Sequence, residues 1–433
     1  MFGLTNEAAA FIVFSVGMLL LMGIGMNMAL ALVLTGAGMA WVLGFGDAQL
    51  LAQNMVAGVD SFPLLAVPFF ILAGELMNTG GISRRIIDMA QAWVGHIHGG
   101  LGYVAIAAAI MLSAMSGSAL ADAAALATIV LPMMRKNGYP LNTSAGLIAA
   151  GGVIGPIIPP SMAFVIYGVT TNTSISALFV SGIVPGLIMG LGLVIAWRLQ
   201  VRGITLPAIA PVPMKERLRI TARAVWALLM PVIIIGGMKT GIFTPTEAAV
   251  VAAAYALFIS FFIHREMVLS DLGGVLVKAA KTTSVVMFLC AGAQVTGYMV
   301  TLADMPSTLG SWLGPMVENP RVLMLAMMLV LVLVGTALDL TPTILIFAPV
   351  MLPIAVKAGI DPVYFGLMFV LNGSIGLITP PVGTVLNVVA GVGRMRLEDV
   401  VKGVNPFLIT YVIILAIFVL FPQIVTAPVA WMR

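Results

Sequence analysis

The chain has 433 residues, 61% of them hydrophobic and 8% charged, where a soluble domain carries roughly 25% charged residues. That composition excludes a water-soluble globular protein: apolar segments of about 20 residues recur from end to end, as in a polytopic all-α membrane protein embedded in a lipid bilayer. The net charge of +4 points to no nucleic acid, because the basic residues sit at loop positions, and the single cysteine, Cys290, leaves neither an internal disulfide nor a cysteine-rich metal site.

The opening MFGLTNEAAAF lacks a basic region and a cleavage motif, so it reads as the start of a first span rather than a signal peptide. Transmembrane helices are predicted at 5–22, 26–44, 61–80, 141–169, 176–197, 224–240, 245–263, 283–302, 362–390 and 404–427, about ten in all. Stretches near 82–98 and 266–281 mix charged and apolar residues and are expected to lie at the inner interface as connecting arms. Two more apolar segments, 100–134 and 321–356, are interrupted midway by SGSALAD at 116–122 and GTALDLTP at 335–342. Their halves are about 15 residues, or roughly 23 Å as helix, short of the roughly 30 Å of a hydrocarbon core. They are therefore expected to be re-entrant hairpins that enter and leave on one side.

With both termini outside, sixteen Lys and Arg fall inside and only Lys239, Arg321, Lys357 and Arg433 fall outside, a strong positive-inside asymmetry. Five crossings separate the two hairpins, an odd number, so they should enter from opposite faces. Internal similarity agrees. At a constant offset of 221, Gly152, Ile154, Gly155, Ile157, Pro159 and Pro160 match Gly373, Ile375, Gly376, Ile378, Pro380 and Pro381. Leu131-Pro132 likewise matches Leu352-Pro353, and Gly182 and Pro185 match Gly403 and Pro406. The expected organisation is two inverted-topology repeats, 1–200 and 224–433, joined by a cytoplasmic loop at 201–223.

The matching stretches GGVIGPIIPPSMAF at 151–164 and NGSIGLITPPVGTV at 372–385 each break a span with glycine and a proline pair. Backbone groups freed inside a membrane are tolerated only where protein or a polar cavity satisfies them. Freed carbonyls suit a hard cation such as Na⁺, and paired broken helices near the midplane are the layout of secondary transporters. One candidate cation site is the tip Ser116-Gly117-Ser118 facing the break from Gly155 to Pro160. The other is Gly335-Thr336 with Asp339, facing Gly376 to Pro381 and including Thr379. Asp122 and Asp339 follow the two tips, and an intramembrane carboxylate is a candidate for substrate binding or coupling; helix capping is the alternative role, compatible with the first. Ser161, Asn372, Thr384 and Asn387 are candidates to line a polar substrate path. Glu75 is expected to be a scaffold contact, and Cys290 a core residue.

SGSALAD, IGPIIPPS, VGTALDLTP and NGSIGLITPPVG, in this order and spacing, resemble the large membrane subunit of tripartite ATP-independent periplasmic (TRAP) transporters along essentially the whole chain. The resemblance implies an importer of organic acids in the bacterial cytoplasmic membrane, driven by sodium with two or more coupling ions and working as an elevator. It implies two partners as well, a small membrane subunit of about four helices and a periplasmic substrate-binding protein, neither expected within this chain. The family pattern places one sodium at Ser116, Ser118, Gly155, Ile158 and Pro160. A second maps onto Gly335, Thr336, Gly376, Thr379 and Pro381. Against an intramembrane enzyme stand the three histidines, His96, His98 and His264, all near expected inner loops with no H-E-x-x-H pattern. A channel fits paired broken helices less well, and a stand-alone sodium–dicarboxylate symporter is the nearest alternative. The substrate stays open among dicarboxylates, sialic acids, other sugar acids and keto acids, since no intramembrane arginine marks a carboxylate clamp.

Overall fold

The computed structural model describes residues 6–432 except 208, 209, 306, 309–316 and 337, and all regular structure among the described residues is helical. The chain opens with α1 (Asn6–Ile12) and α2 (Met18–Gly23), joined by the π-turn Val13–Gly17. Then come α3 (Met28–Val42), the short α4 (Ala48–Ala57), α5 (Ala66–Thr79) and α6 (Ile82–Val94). The first hairpin is α7 (Gly100–Ser116) and α8 (Ala119–Lys136), and the first broken helix is α9 (Leu141–Gly152) and α10 (Met162–Thr171). Long helices α11 (Ile175–Gln200), α12 (Met214–Lys239), α13 (Pro245–Phe258) and α14 (Leu269–Leu302) follow. The second hairpin is α15 (Pro320–Gly335) and α16 (Leu340–Lys357), the second broken helix α17 (Pro362–Gly376) and α18 (Thr384–Gly393), and the chain closes with α19 (Leu397–Leu420) and α20 (Gln423–Met432).

Among the described residues seven helices are long and apolar enough to cross a membrane. Their outer surfaces confirm the solvent they are built for. On α11, Leu187, Leu191, Ile195 and Leu199 are each more than half exposed and recur every four residues, an apolar stripe along one face that water would not tolerate and lipid tails do.

Helix starts follow from local chemistry. Thr244 and Glu247 form a capping box ahead of α13 with Pro245 at its first position. Asn319 before Pro320 and Asp361 before Pro362 accept backbone N–H bonds in the same way. Several boundaries differ from the sequence reading. The loop 201–223 turns helical from Met214, because its apolar positions continue the period of α12 across the arginines. The arm 266–281 and the span 283–302 are one helix of 34 residues. The hairpin arms have 16 to 18 residues rather than about 15, and α16 is long enough by itself to count as a span. The short α4 was not expected.

The internal similarity reappears in the elements. Helices α8 and α16 both have 18 residues and start at positions 221 apart, Ala119 and Leu340; α9 and α17 start at Leu141 and Pro362, with the same offset. Packing crosses between the halves: α8 lies against α18, α10 against α16, and α9 against α19. Arg135 Nη2 donates to the Gly393 carbonyl at 2.8 Å, and Tyr411 Oη to the Ala150 carbonyl at 2.8 Å. All residues of α17 from Val363 to Gly376 are buried, as are Ser144 to Gly152 of α9. A helix apolar on every side belongs at the centre of a bundle. There the two broken helices sit.

Candidate functional site

The first hairpin tip is built by three short-range bonds. Ser118 is the N-cap of α8, its Oγ accepting the Ala121 N–H at 3.4 Å. Its own N–H donates to Ser116 Oγ at 3.2 Å, and Ser116 Oγ donates to Asp122 Oδ1 at 2.5 Å. Capping therefore falls to Ser118 and not to Asp122, which frees the carboxylate to turn inward. Asp122 Oδ2 is buried and makes no hydrogen bond of normal geometry among the described residues; the Ser113 hydroxyl, buried and likewise without one, is its polar neighbour.

That tip docks into the first break. Gly117 has φ of +60°, and a side chain there would run into the Pro160 carbonyl. A Cβ on Gly155 would lie 2.7 Å from Asp122 Oδ2 and 3.0 Å from the carbonyl carbon of Ser118. Only glycine permits this approach. Within the break, Ile158 N donates to the Ile154 carbonyl at 3.2 Å, but among the described residues no backbone N–H donates to the carbonyls of Gly155, Ile158 or Pro160. The peptide bond between Pro159 and Pro160 is cis, as is that between Pro380 and Pro381. Ser116, Ser118, Gly155, Pro160 and Asp122 are thus together, with Ile158 in the same break. They offer hydroxyl, carbonyl and carboxylate oxygens, the donor set of a hard monovalent or alkaline-earth cation. Among the described residues no group of three His, Cys, Asp or Glu exists that would suit a transition metal.

The second tip repeats the docking with different donors. A Cβ on Gly376 would lie 2.8 Å from Gly335 Cα, so hairpin and break meet backbone to backbone. Thr336 Oγ1 donates to the Leu333 carbonyl at 2.7 Å and Thr379 Oγ1 to the Ile375 carbonyl at 2.8 Å. Each hydroxyl thereby satisfies its proton on its own helix and keeps oxygen lone pairs for another partner. The Gly376 carbonyl accepts the Thr379 N–H at 3.0 Å, and Pro381 is exposed. Asp339 holds the N-cap position of α16 without a capping bond; instead its Oδ1 accepts from Thr384 Oγ1 at 3.4 Å. The repeat mate of Ser116 is residue 337, which lies outside the described residues.

Ser161 and Asn372 are brought to the centre but face protein. Ser161 is buried, donates to the Pro156 carbonyl and accepts from Phe164 N at 3.2 Å, bracing the break. Asn372 Nδ2 donates to the Met328 carbonyl at 2.6 Å, while its Oδ1 is buried without a partner among the described residues. Asn387 Nδ2 donates to the Val382 carbonyl at 2.8 Å.

A cavity of about 430 Å³ joins the two tips, within the roughly 300–1,000 Å³ typical of small-molecule sites. Its wall includes Gly117 and Ser118 of the first tip, Pro156 of the first break, Asp339 and Thr341 of the second hairpin, and Leu377 of the second break. The rest of the lining comes largely from α14, through Lys281, Thr282, Val285, Val286 and Leu289. Lys281 escaped the sequence reading, which counted it as a loop charge on an interfacial arm. The signal was available: no proline or turn cluster interrupts 275–302, so the arm and the span had to be one helix. A larger cavity, about 840 Å³, opens between α6 and α12 around Arg84, Arg85, Asp88 and Arg223. It contains no residue of either tip or break. There burial raises the Asp88 carboxyl above its usual range against the pull of Arg84 and Arg85, and Arg85 pairs with Glu266 at 2.6 Å.

Comparison with known proteins adds an independent line. Residues 13–424 match the family model of the tripartite ATP-independent periplasmic transporter, DctM component. The chain is 50% identical over 410 residues to the 2,3-diketo-L-gulonate TRAP transporter large permease protein YiaN of Escherichia coli, covering 95% of this chain and 96% of that one. It is 40% identical over 382 residues to the C4-dicarboxylate TRAP transporter large permease protein DctM of Pseudomonas aeruginosa, covering 88% and 90%. In fold it is similar to the crystal structure of the YdaH transporter of Alcanivorax borkumensis, with a TM-score of 0.67 at 14% identity over 92% of this chain and 98% of that one.

Proposed function

The chain belongs to the DctM family, the large permease subunits of TRAP transporters for organic acids, and is a multi-pass membrane transporter rather than an enzyme; from that premise we propose that it imports an organic acid anion by sodium symport. One observation carries the reading. Two hairpin tips dock into two helix breaks, and at the first a buried, unpartnered carboxylate oxygen meets carbonyls to which no backbone N–H donates among the described residues. Buried oxygens without donors are costly unless a cation takes them. Ser116, Ser118, Gly155, Ile158 and Pro160, joined by Asp122, would hold one sodium ion. Gly335, Thr336, Gly376, Thr379 and Pro381 would hold another. Substrate would bind in the cavity between the tips, next to Ser118, Asp339 and Thr384.

Transport then follows as an elevator. The hairpins and broken helices form the moving body, packed across the two halves. Helices α3, α4, α5, α13 and α14 pack among themselves and form the fixed body, and the cavity lies between α14 and the tips. The repeats are inverted, both termini are periplasmic, and the segment 201–223 is on the cytoplasmic side of the inner membrane. A small membrane subunit completes the scaffold, and a periplasmic binding protein delivers the acid. The test is uptake into proteoliposomes holding this chain and the small subunit, with the loaded binding protein outside. An inward sodium gradient should drive accumulation without ATP. Equal uptake with choline in place of sodium, or full uptake by this chain alone, refutes the proposal.

A further inference from the structure

Among the described residues lining the cavity between the tips, two are charged, Lys281 and Asp339. They do not pair with each other: Lys281 makes no ion pair among the described residues, and Asp339 accepts from Thr384. The remaining polar groups of the wall are hydroxyls, Ser118, Thr282 and Thr341. An ammonium, three hydroxyls and a hydrogen-bond-accepting carboxylate in the lining of one cavity are complementary to a small acid with one carboxylate and several hydroxyls.

Charge balance sharpens this, and here the argument rests on the sodium reading above. A sodium ion at the first tip is offset by Asp122. One at the second tip is offset by Asp339, which is held beside the second break through Thr384. Lys281 is then the remaining cation, and one carboxylate of the substrate neutralises it. A second carboxylate would enter the cavity without a counter-charge and facing Asp339, and like charges set side by side are costly. We propose that this transporter selects polyhydroxylated monocarboxylates over dicarboxylates, with Lys281 of α14 as the group that binds the single carboxylate. Because Lys281 belongs to α14 and not to a hairpin, it would also tie substrate to one position of the moving body.

The test uses this chain with its small subunit in nanodiscs, without binding protein, so that the receptor's own selectivity does not enter. The probes are gluconate and glucarate, six-carbon polyols that differ by one carboxylate, titrated calorimetrically in sodium and in choline. A lost charge-assisted hydrogen bond costs about tenfold or more in affinity. In sodium, repulsion of glucarate's second carboxylate should make gluconate bind about tenfold or more tighter than glucarate. Lys281→Gln should abolish most of the gluconate affinity, Lys281→Arg should retain it, and Asp339→Asn should narrow the gap between the probes. Sodium-induced thermal stabilisation, unchanged in Lys281→Gln, shows that the variant is folded. Equal or tighter binding of glucarate, no binding of either probe, or a Lys281→Gln variant indistinguishable from the parent overturns the proposal. A gluconate preference that persists undiminished in choline supports the lysine assignment and refutes sodium coupling instead.

Discussion

Replacing Asp122 by asparagine tests the first cation cage with almost no change of shape. The oxygen that accepts from Ser116 is kept, while the buried, unpartnered Oδ2 becomes an amide and the negative charge is lost. A carboxylate and a sodium ion about 4 Å apart attract by about 4 kcal/mol at an effective dielectric of about 20. Desolvation of both groups takes back part of this, leaving about 1.5–3 kcal/mol. Sodium affinity should then fall about 10- to 150-fold. Thermal stability offers a second reading with opposite signs. Without sodium, and at an alkaline pH that keeps Asp122 ionised, the parent buries an uncompensated charge, so Asp122→Asn should melt higher than the parent in choline. With sodium at 100 times the parent's Kd, the parent gains about 2.7 kcal/mol and a variant bound a hundredfold more weakly gains about 0.4 kcal/mol. Melting in nanodiscs across a sodium series, with choline holding ionic strength constant, measures both. A variant whose sodium-induced gain overlays the parent's, with no rise in choline, would show that Asp122 is not a cation ligand.

Gly376→Ala places a methyl 2.8 Å from Gly335 Cα, a contact that backbone cannot absorb without moving the second tip. Sodium activation of uptake should lose its cooperativity while the first site still binds; an unchanged Hill coefficient at matched protein level contradicts the second cage. Ser118→Ala removes both the α8 cap and a hydroxyl from the first cage, so a stability loss of about 1 kcal/mol should come with a raised sodium requirement, and a stability loss alone marks a purely structural serine. Trp197→Phe deletes the indole N–H that donates to the Gly99 carbonyl at 2.9 Å and shrinks the ring stacked on Tyr139. It should cost about 1–3 kcal/mol without shifting sodium dependence. A cysteine at Ala210 should resist an impermeant maleimide in intact cells and react after lysis; labelling in intact cells reverses the proposed orientation.

Sequence by itself determined the parts whose signals are local or periodic. Apolar length marked the spans, because a bilayer of fixed thickness demands it. Glycine and proline pairs at a shared offset marked the two breaks, because buried helices rarely tolerate either. Gly155 and Gly376 were legible for the same reason: each permits a close backbone approach through its small size, which residue identity encodes directly. Tertiary structure decided everything that depends on which face of a helix meets which neighbour. Asp122 and Asp339 read alike in the chain, one after each tip. Yet Ser118 takes the cap in the first hairpin and leaves Asp122 facing Gly155 of the first break, while Asp339 leaves its cap unmade and accepts from Thr384, 45 residues away. Lys281 looked like a charge on an interfacial arm until α14 continued without interruption past it and placed it in the lining of the same cavity as Asp339. A side chain's charge is written in the sequence, but what that charge faces is set by packing between segments far apart in the chain.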